Sequence, residues 1–113
     1  MAAEAVRAFM LSWFMTHHYS PVQAQAMIQQ AYMESNLQPC VRSSTGSWLY
    51  GWVGTRRRAL AAYAKTANCP GLEAQLAFAD AELRGEPTFA VFWRASSQNA
   101  FAVLRRCFGR GQC

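Results

Sequence analysis

Acidic residues are scarce in this chain. Six Asp plus Glu stand against 11 Lys plus Arg among 113 residues, giving a formal charge of +5 and a pI near 9.4. The imbalance leaves few candidates for any acid catalyst and favours an anionic partner by attraction and steering; nucleic acid, anionic lipid and bacterial cell wall all have the right sign. Long apolar runs are missing too. The most apolar stretch, near the N-terminus, is broken by Ser12 and falls far short of the roughly 20 residues a membrane-spanning helix needs. Histidine is confined to the adjacent pair His17 and His18, and Cys40, Cys69, Cys107 and Cys113 lack a paired Cys-x-x-Cys spacing, which argues against a metal site. No internal repeat or low-complexity tract is present.

What the chain does have is enough apolar material for a core: 52% of residues are hydrophobic and 15% charged. The length predicts one domain spanning 1–113, small enough to have little stability to spare. The four cysteines allow three pairings in an oxidising compartment, or four buried thiols; Cys107 and Cys113 bracket a glycine-containing tail and could be bridged locally. Glu4 precedes the N-terminal apolar stretch and Thr16-His17-His18-Tyr19 follows it, so the segment reads as mature protein rather than a secretory signal.

Hydrophobic periodicity predicts an all-α fold. Val6, Phe9, Met10, Trp13 and Phe14 form the stripe of an amphipathic helix over about 3–17. Ser20, Pro21 and Gln23 carry the signature of a capping box opening a second helix that runs to about Glu34 or Ser35. A loop over about 36–54, with Pro39, Gly46, Gly51 and Gly54 among Trp48, Tyr50 and Trp52, offers room for short strands. Thr55 is placed to cap a third helix, 56–66, which Asn68-Cys69-Pro70-Gly71 ends. Leu72, Leu76, Ala79 and Leu83 give a fourth helix stopped at Gly85; a short one follows Pro87-Thr88, and a last one covers about 97–108. The expected architecture is about six helices with a small irregular or β lobe.

Of the six acids, Glu34 stands out by context. It sits at the C-terminal end of the second helix, on the face of Met27 and Ala31, immediately before the aromatic and glycine-rich loop. A half-buried carboxylic acid at the negative end of a helix is held protonated by desolvation and by the dipole, which is what a general acid in glycoside hydrolysis requires. A solvated glutamate in a last helical turn fits the position equally well.

Tyr32-Met33-Glu34-Ser35-Asn36-Leu37-Gln38-Pro39 resembles the Glu-Ser-x-hydrophobic-x-Pro motif around the catalytic glutamate of lysozyme-like muramidases, most closely those of the phage tail lysozyme family. Trp52-Val53-Gly54-Thr55-Arg56-Arg57-Arg58-Ala59-Leu60 is similar to that family's Trp-Thr-Gly-x-Arg-Arg-x-x-Leu segment. Leu72 to Phe78 with Glu82-Leu83, and Ala95-Ser96-Ser97-Gln98-Asn99-Ala100, resemble its later helices in the same order. The chain departs from the family at Trp48-Leu49-Tyr50-Gly51-Trp52, where Gly-Leu-x-Gln-Trp is usual, so that a glycine and a glutamine of the sugar cleft are replaced. It departs again after Phe108, where a glutamate gives way to Gly109.

The resemblance implies a lysozyme-like fold and a peptidoglycan hydrolase of phage type, with Glu34 protonating the glycosidic oxygen. Ser35, Trp48, Tyr50, Gly51, Trp52 and Arg56 are the substrate-contacting candidates. The three aromatics would supply a sugar platform, with ordinary packing under the loop as the other reading; Tyr50 reads first as a substrate contact and Trp52 as core. Asp80 and Glu82 are candidates for a second carboxylate, with Glu82 also read as an ion-pair partner for Arg56 or Arg57. The arginine run 56–58 reads first as internal ion pairs, then as wall contact, and last as nucleic-acid contact. Peptidoglycan is the expected partner, with phage tail or virion proteins open as others; neither nucleic acid nor a membrane span is expected, and no cofactor or metal is implied. The expected location is the phage virion or the host cell-wall space. The departures motivate a different reading, a catalytically impaired lysozyme-fold module that binds the wall or builds part of a phage particle.

Overall fold

The computed structural model describes residues 2–94 and 99–109. Its elements are α1 (Ala3–Thr16), α2 (Pro21–Ser35), β1 (Arg42–Ser43), β2 (Gly46–Ser47), α3 (Gly54–Ala64), α4 (Leu72–Gly85), a 3-10 turn (Pro87–Phe89), α5 (Ala90–Arg94), α6 (Ala100–Leu104) and a π-helical turn (Arg105–Gly109). The fold is all-α, 69% helical, with one two-stranded antiparallel sheet among the described residues. The last helix was expected from Ser97, but residues 95–98 lie outside the described ones; so does Cys113.

Local chemistry accounts for the element boundaries that position the loop. The Ser20 hydroxyl accepts from the Gln23 backbone N–H at 3.1 Å, and the Gln23 side-chain oxygen accepts from the Ser20 N–H at 2.8 Å, so α2 starts on a complete capping box. It stops at Asn36, a left-handed C-cap with φ 56°, whose N–H reaches the Tyr32 carbonyl. The expected cap at Thr55 is not found. Helix α3 begins at Gly54 with Val53 as an extended N-cap and no capping side chain, because Gly54 and Thr55 are already inside the first turn.

Helix α2 packs against α1 and α6, and α3 against α4. Val6, Met10, Trp13 and Phe14 are buried as the α1 stripe requires, while Phe9 sits at its exposed margin. The loop between α2 and α3 is fastened to the turn before α4 and to α4 itself by an amide and by a disulfide. Gln75, fully buried on α4, accepts from the Leu49 N–H at 2.9 Å and donates to the carbonyls of Pro39 and Pro70 at 3.0 and 2.9 Å. Cys40 and Cys69 form a disulfide, Cα to Cα 5.2 Å, which ties the start of the loop to the turn between α3 and α4. Cys107 is disulfide-bonded as well. Closing a 29-residue separation restricts the unfolded chain, so reduction is expected to lower stability by about 2–4 kcal/mol, measurable as a fall in the urea midpoint on adding reductant.

Two tyrosines take part in the packing with their hydroxyls satisfied. Tyr19 donates to Asp80 Oδ1 at 2.7 Å and Tyr50 to the Met27 carbonyl at 2.8 Å. Burial raises the pKa of both phenols, and at Tyr19 the hydrogen bond to the Asp80 carboxylate and its charge raise it further. An unfolded tyrosine ionises near about pH 10 while these two stay neutral in the native chain. Their contribution to stability is therefore complete below that pH and declines as pH rises above it. Alkaline titration should show the melting midpoint falling above about pH 10, with the tyrosinate absorbance of these two residues appearing only as the chain unfolds.

Candidate active site

Glu34 occupies the last turn of α2, and three local features set its surroundings. The first is the exit of the chain: Asn36 and Leu37 both adopt left-handed backbone, φ 56° and 59°, an uncommon conformation for leucine, whose side chain here is buried. This reversal sends the chain into the hairpin instead of past the helix end.

The second is the hairpin. At the end of β2, Ser47 exchanges backbone hydrogen bonds with Trp52 at 3.0 and 2.9 Å, closing the loop 48–51. Gly51 there has φ 65°, and a Cβ on it would lie 2.9 Å from Glu34 Oε2. Glycine at this position is what lets the backbone come up against the carboxylate. Gly46 backs Gly51 in turn, since a Cβ on Gly46 would lie 2.7 Å from the Gly51 carbonyl carbon.

The third is Gln30, one helical turn earlier. Its Nε2 donates to Glu34 Oε1 at 2.9 Å, and the residue is 0% exposed. Its Oε1 is buried with no hydrogen-bond partner. Sequence reasoning passed over Gln30, although the signal was available: a Gln four residues before a Glu lies beside it on a helix. Replacing it by leucine removes the donor and the orphaned oxygen together. Gln30→Leu is expected to leave the melting midpoint unchanged or raised, as thermal unfolding would show, because the unpaired buried oxygen goes with the donor.

The other expected contacts are placed differently. Glu34 is exposed, so the half-burial expected of it is not observed. Ser35 is 6% exposed, and its hydroxyl donates back to the Ala31 carbonyl at 2.9 Å. Trp48, Tyr50 and Trp52 are 1%, 4% and 0% exposed, which leaves no open aromatic face for a sugar. The loop folds them inward: Tyr50 stands edge-on to Trp52 and Phe108, and Trp52 Nε1 donates to Glu82 at 3.0 Å. Arg56 is a structural tie, with Nε and Nη2 donating to both Glu82 oxygens at 2.7 and 3.0 Å and its guanidinium 4.9 Å from the Phe108 ring centroid.

The ion pair expected between Glu82 and the arginine run is thus present, and it occupies Glu82. Asp80 is occupied likewise, accepting from Tyr19 and from Arg84 Nε at 2.8 Å. Of the sequence candidates, Gly51 meets Glu34, while Tyr50, Trp52 and Arg56 gather apart from it, around Glu82. No group of three or more His, Cys, Asp or Glu able to hold a metal ion occurs among the described residues.

The family model described as phage tail lysozyme matches residues 5–111. The chain belongs to the phage tail lysozyme family. No curated protein and no solved structure matches it. Membership makes it a lysozyme-like domain of the glycoside hydrolase type, with bacterial peptidoglycan as the substrate that such a family addresses. No helix among the described residues is long and apolar enough to cross a membrane.

Proposed function

We propose that this phage tail lysozyme domain cleaves the glycan strand of peptidoglycan with Glu34 as general acid. The observation that carries the reading is the fixed aim of one carboxyl group, gripped by a buried amide on one oxygen and faced by bare glycine backbone at the other. Because Oε1 accepts from Gln30, Oε2 is the oxygen left to carry the proton. It transfers that proton to the glycosidic oxygen as the bond from that oxygen to the anomeric carbon breaks, the leaving sugar departs as an alcohol, and positive charge develops on the ring. The carboxylate so formed then takes a proton from the nucleophile that closes the cycle, either water or a hydroxyl of the same sugar.

Asp80 and Glu82 are committed to Tyr19, Arg84, Trp52 and Arg56, so the reading assigns no second carboxylate. Gly51 belongs to the site through its backbone, while Ser35, Trp48, Tyr50, Trp52 and Arg56 support it from within. The activity fits either host lysis or wall penetration by a virion component, acting in the cell-wall space. Clearing of permeabilised bacterial cells tests the reading: the unmodified chain should clear them, and Glu34→Gln should not.

A further inference from the structure

A groove of about 430 Å³ lies between the hairpin and the start of α3, lined by Arg42, Ser43, Ser44, Gly46, Ser47 and Arg57 with neighbouring backbone. None of its lining residues is acidic. The guanidinium carbons of Arg42 and Arg57 lie 5.9 and 5.7 Å from the centroid of one ring, that of Trp48, Arg42 Nη2 also donates to the Ala67 carbonyl at 3.1 Å, and both arginines line the groove together with three serines. Among the described residues neither forms an ion pair; the salt bridges there are Arg56 with Glu82 and Arg84 with Asp80. A half-buried guanidinium such as Arg57 has given up hydration without gaining an acid, and its planar fork suits a carboxylate.

We propose that this groove binds the free carboxylates of the peptide branches carried by the glycan strand. The inference rests on the wall-cleaving reading for its choice of ligand. Gly46, which lines the groove, packs on Gly51, and Gly51 abuts the Glu34 carboxyl, so two glycines separate the cations from the reacting group. A glycan strand held for cleavage at Glu34 would have its branches pass Gly51 and Gly46 to reach the groove. Its N-acetylated sugars are neutral, so the carboxylates of the branches are the charge available there. Arg42 and Arg57 would then select strands that still carry peptide.

The test uses wall material free of phosphate polymers, either intact or stripped of its peptides by an amidase with the lactyl carboxylates thereby freed capped as methylamides, and reads cosedimentation of the Glu34→Gln chain. Binding to the intact form should be about tenfold tighter than to the stripped form. Adding Arg42→Gln and Arg57→Gln should erase that difference, and a soluble stem tripeptide should displace the chain from intact wall. Equal binding to both forms, or a preference that survives the double substitution, overturns the proposal.

Should the double variant fail to melt cooperatively, competition against the chain with its own arginines decides: no displacement by millimolar tripeptide overturns the proposal. Displacement by inorganic phosphate at the same concentration makes the groove a general anion site and overturns it as well. The two readings fail separately. A chain that prefers peptide-bearing wall but releases no fragments loses the cleavage reading and keeps the groove; one that cleaves and binds both wall forms equally loses the groove alone.

Discussion

Glu34→Gln is expected to lower the rate of fragment release by about 10²- to 10⁴-fold, the usual contribution of a positioned acid, with KM nearly unchanged. The amide is isosteric with the carboxyl and can still accept from Gln30, so the α2 terminus keeps its hydrogen bond. Glu34 is exposed, and its replacement leaves no buried group unpaired, so the melting midpoint should move by no more than a degree or two. Activity and stability thus separate at this residue. A variant that loses both would instead place Glu34 among the residues that hold the fold.

Trp48→Ala is expected to do the reverse. The indole is 1% exposed and among the largest fully buried side chains, so truncation should cost about 3–5 kcal/mol. In a domain of this size the total is of order 5–15 kcal/mol, and the melting midpoint should fall by at least about 12 °C. Loss of wall binding at an unchanged melting midpoint would return Trp48 to the role of a sugar platform. The same burial means that putting the family's glycine in place of Trp48 would open a hole in the core.

Much of this was legible in the sequence because it was encoded locally. The α1 stripe and the capping box of Ser20 and Gln23 depend only on residues within a few positions of each other, and both are found where the pattern puts them. Glu34 is singled out by its motif, whereas the approach of Gly51 to it was not legible, since Gly51 stands out only as the residue in place of the family's glutamine. Nor was the direction of the aromatic side chains. Trp48 has φ 70°, and the turn it belongs to is set by Gly46 packing on Gly51 and by Gln75 reaching Leu49 from α4, contacts between residues distant in the chain. Composition alone could not say which way such a loop faces. Glu82 reads as a partner of Arg56 or Arg57 because a cation at a helix start calls for an acid nearby; the structure pairs it with Arg56, which removes Arg56 from direct substrate contact. Gln30 was missed because a buried glutamine reads as a polar residue on an amphipathic helix until its partner is known.

Mass spectrometry of the material released from purified peptidoglycan, with the unmodified chain and Glu34→Gln run in parallel, tests the central claim most directly. The account predicts disaccharide-peptide fragments cut at the glycosidic bond between the two amino sugars from the unmodified chain, and none above background from the variant. Fragments of full mass would assign water as the nucleophile, and fragments lighter by one water would assign intramolecular transfer. Equal release by both proteins would contradict the role of Glu34. Binding to wall by the unmodified chain without any fragment release would contradict the enzymatic claim itself and leave a wall-binding module of lysozyme fold.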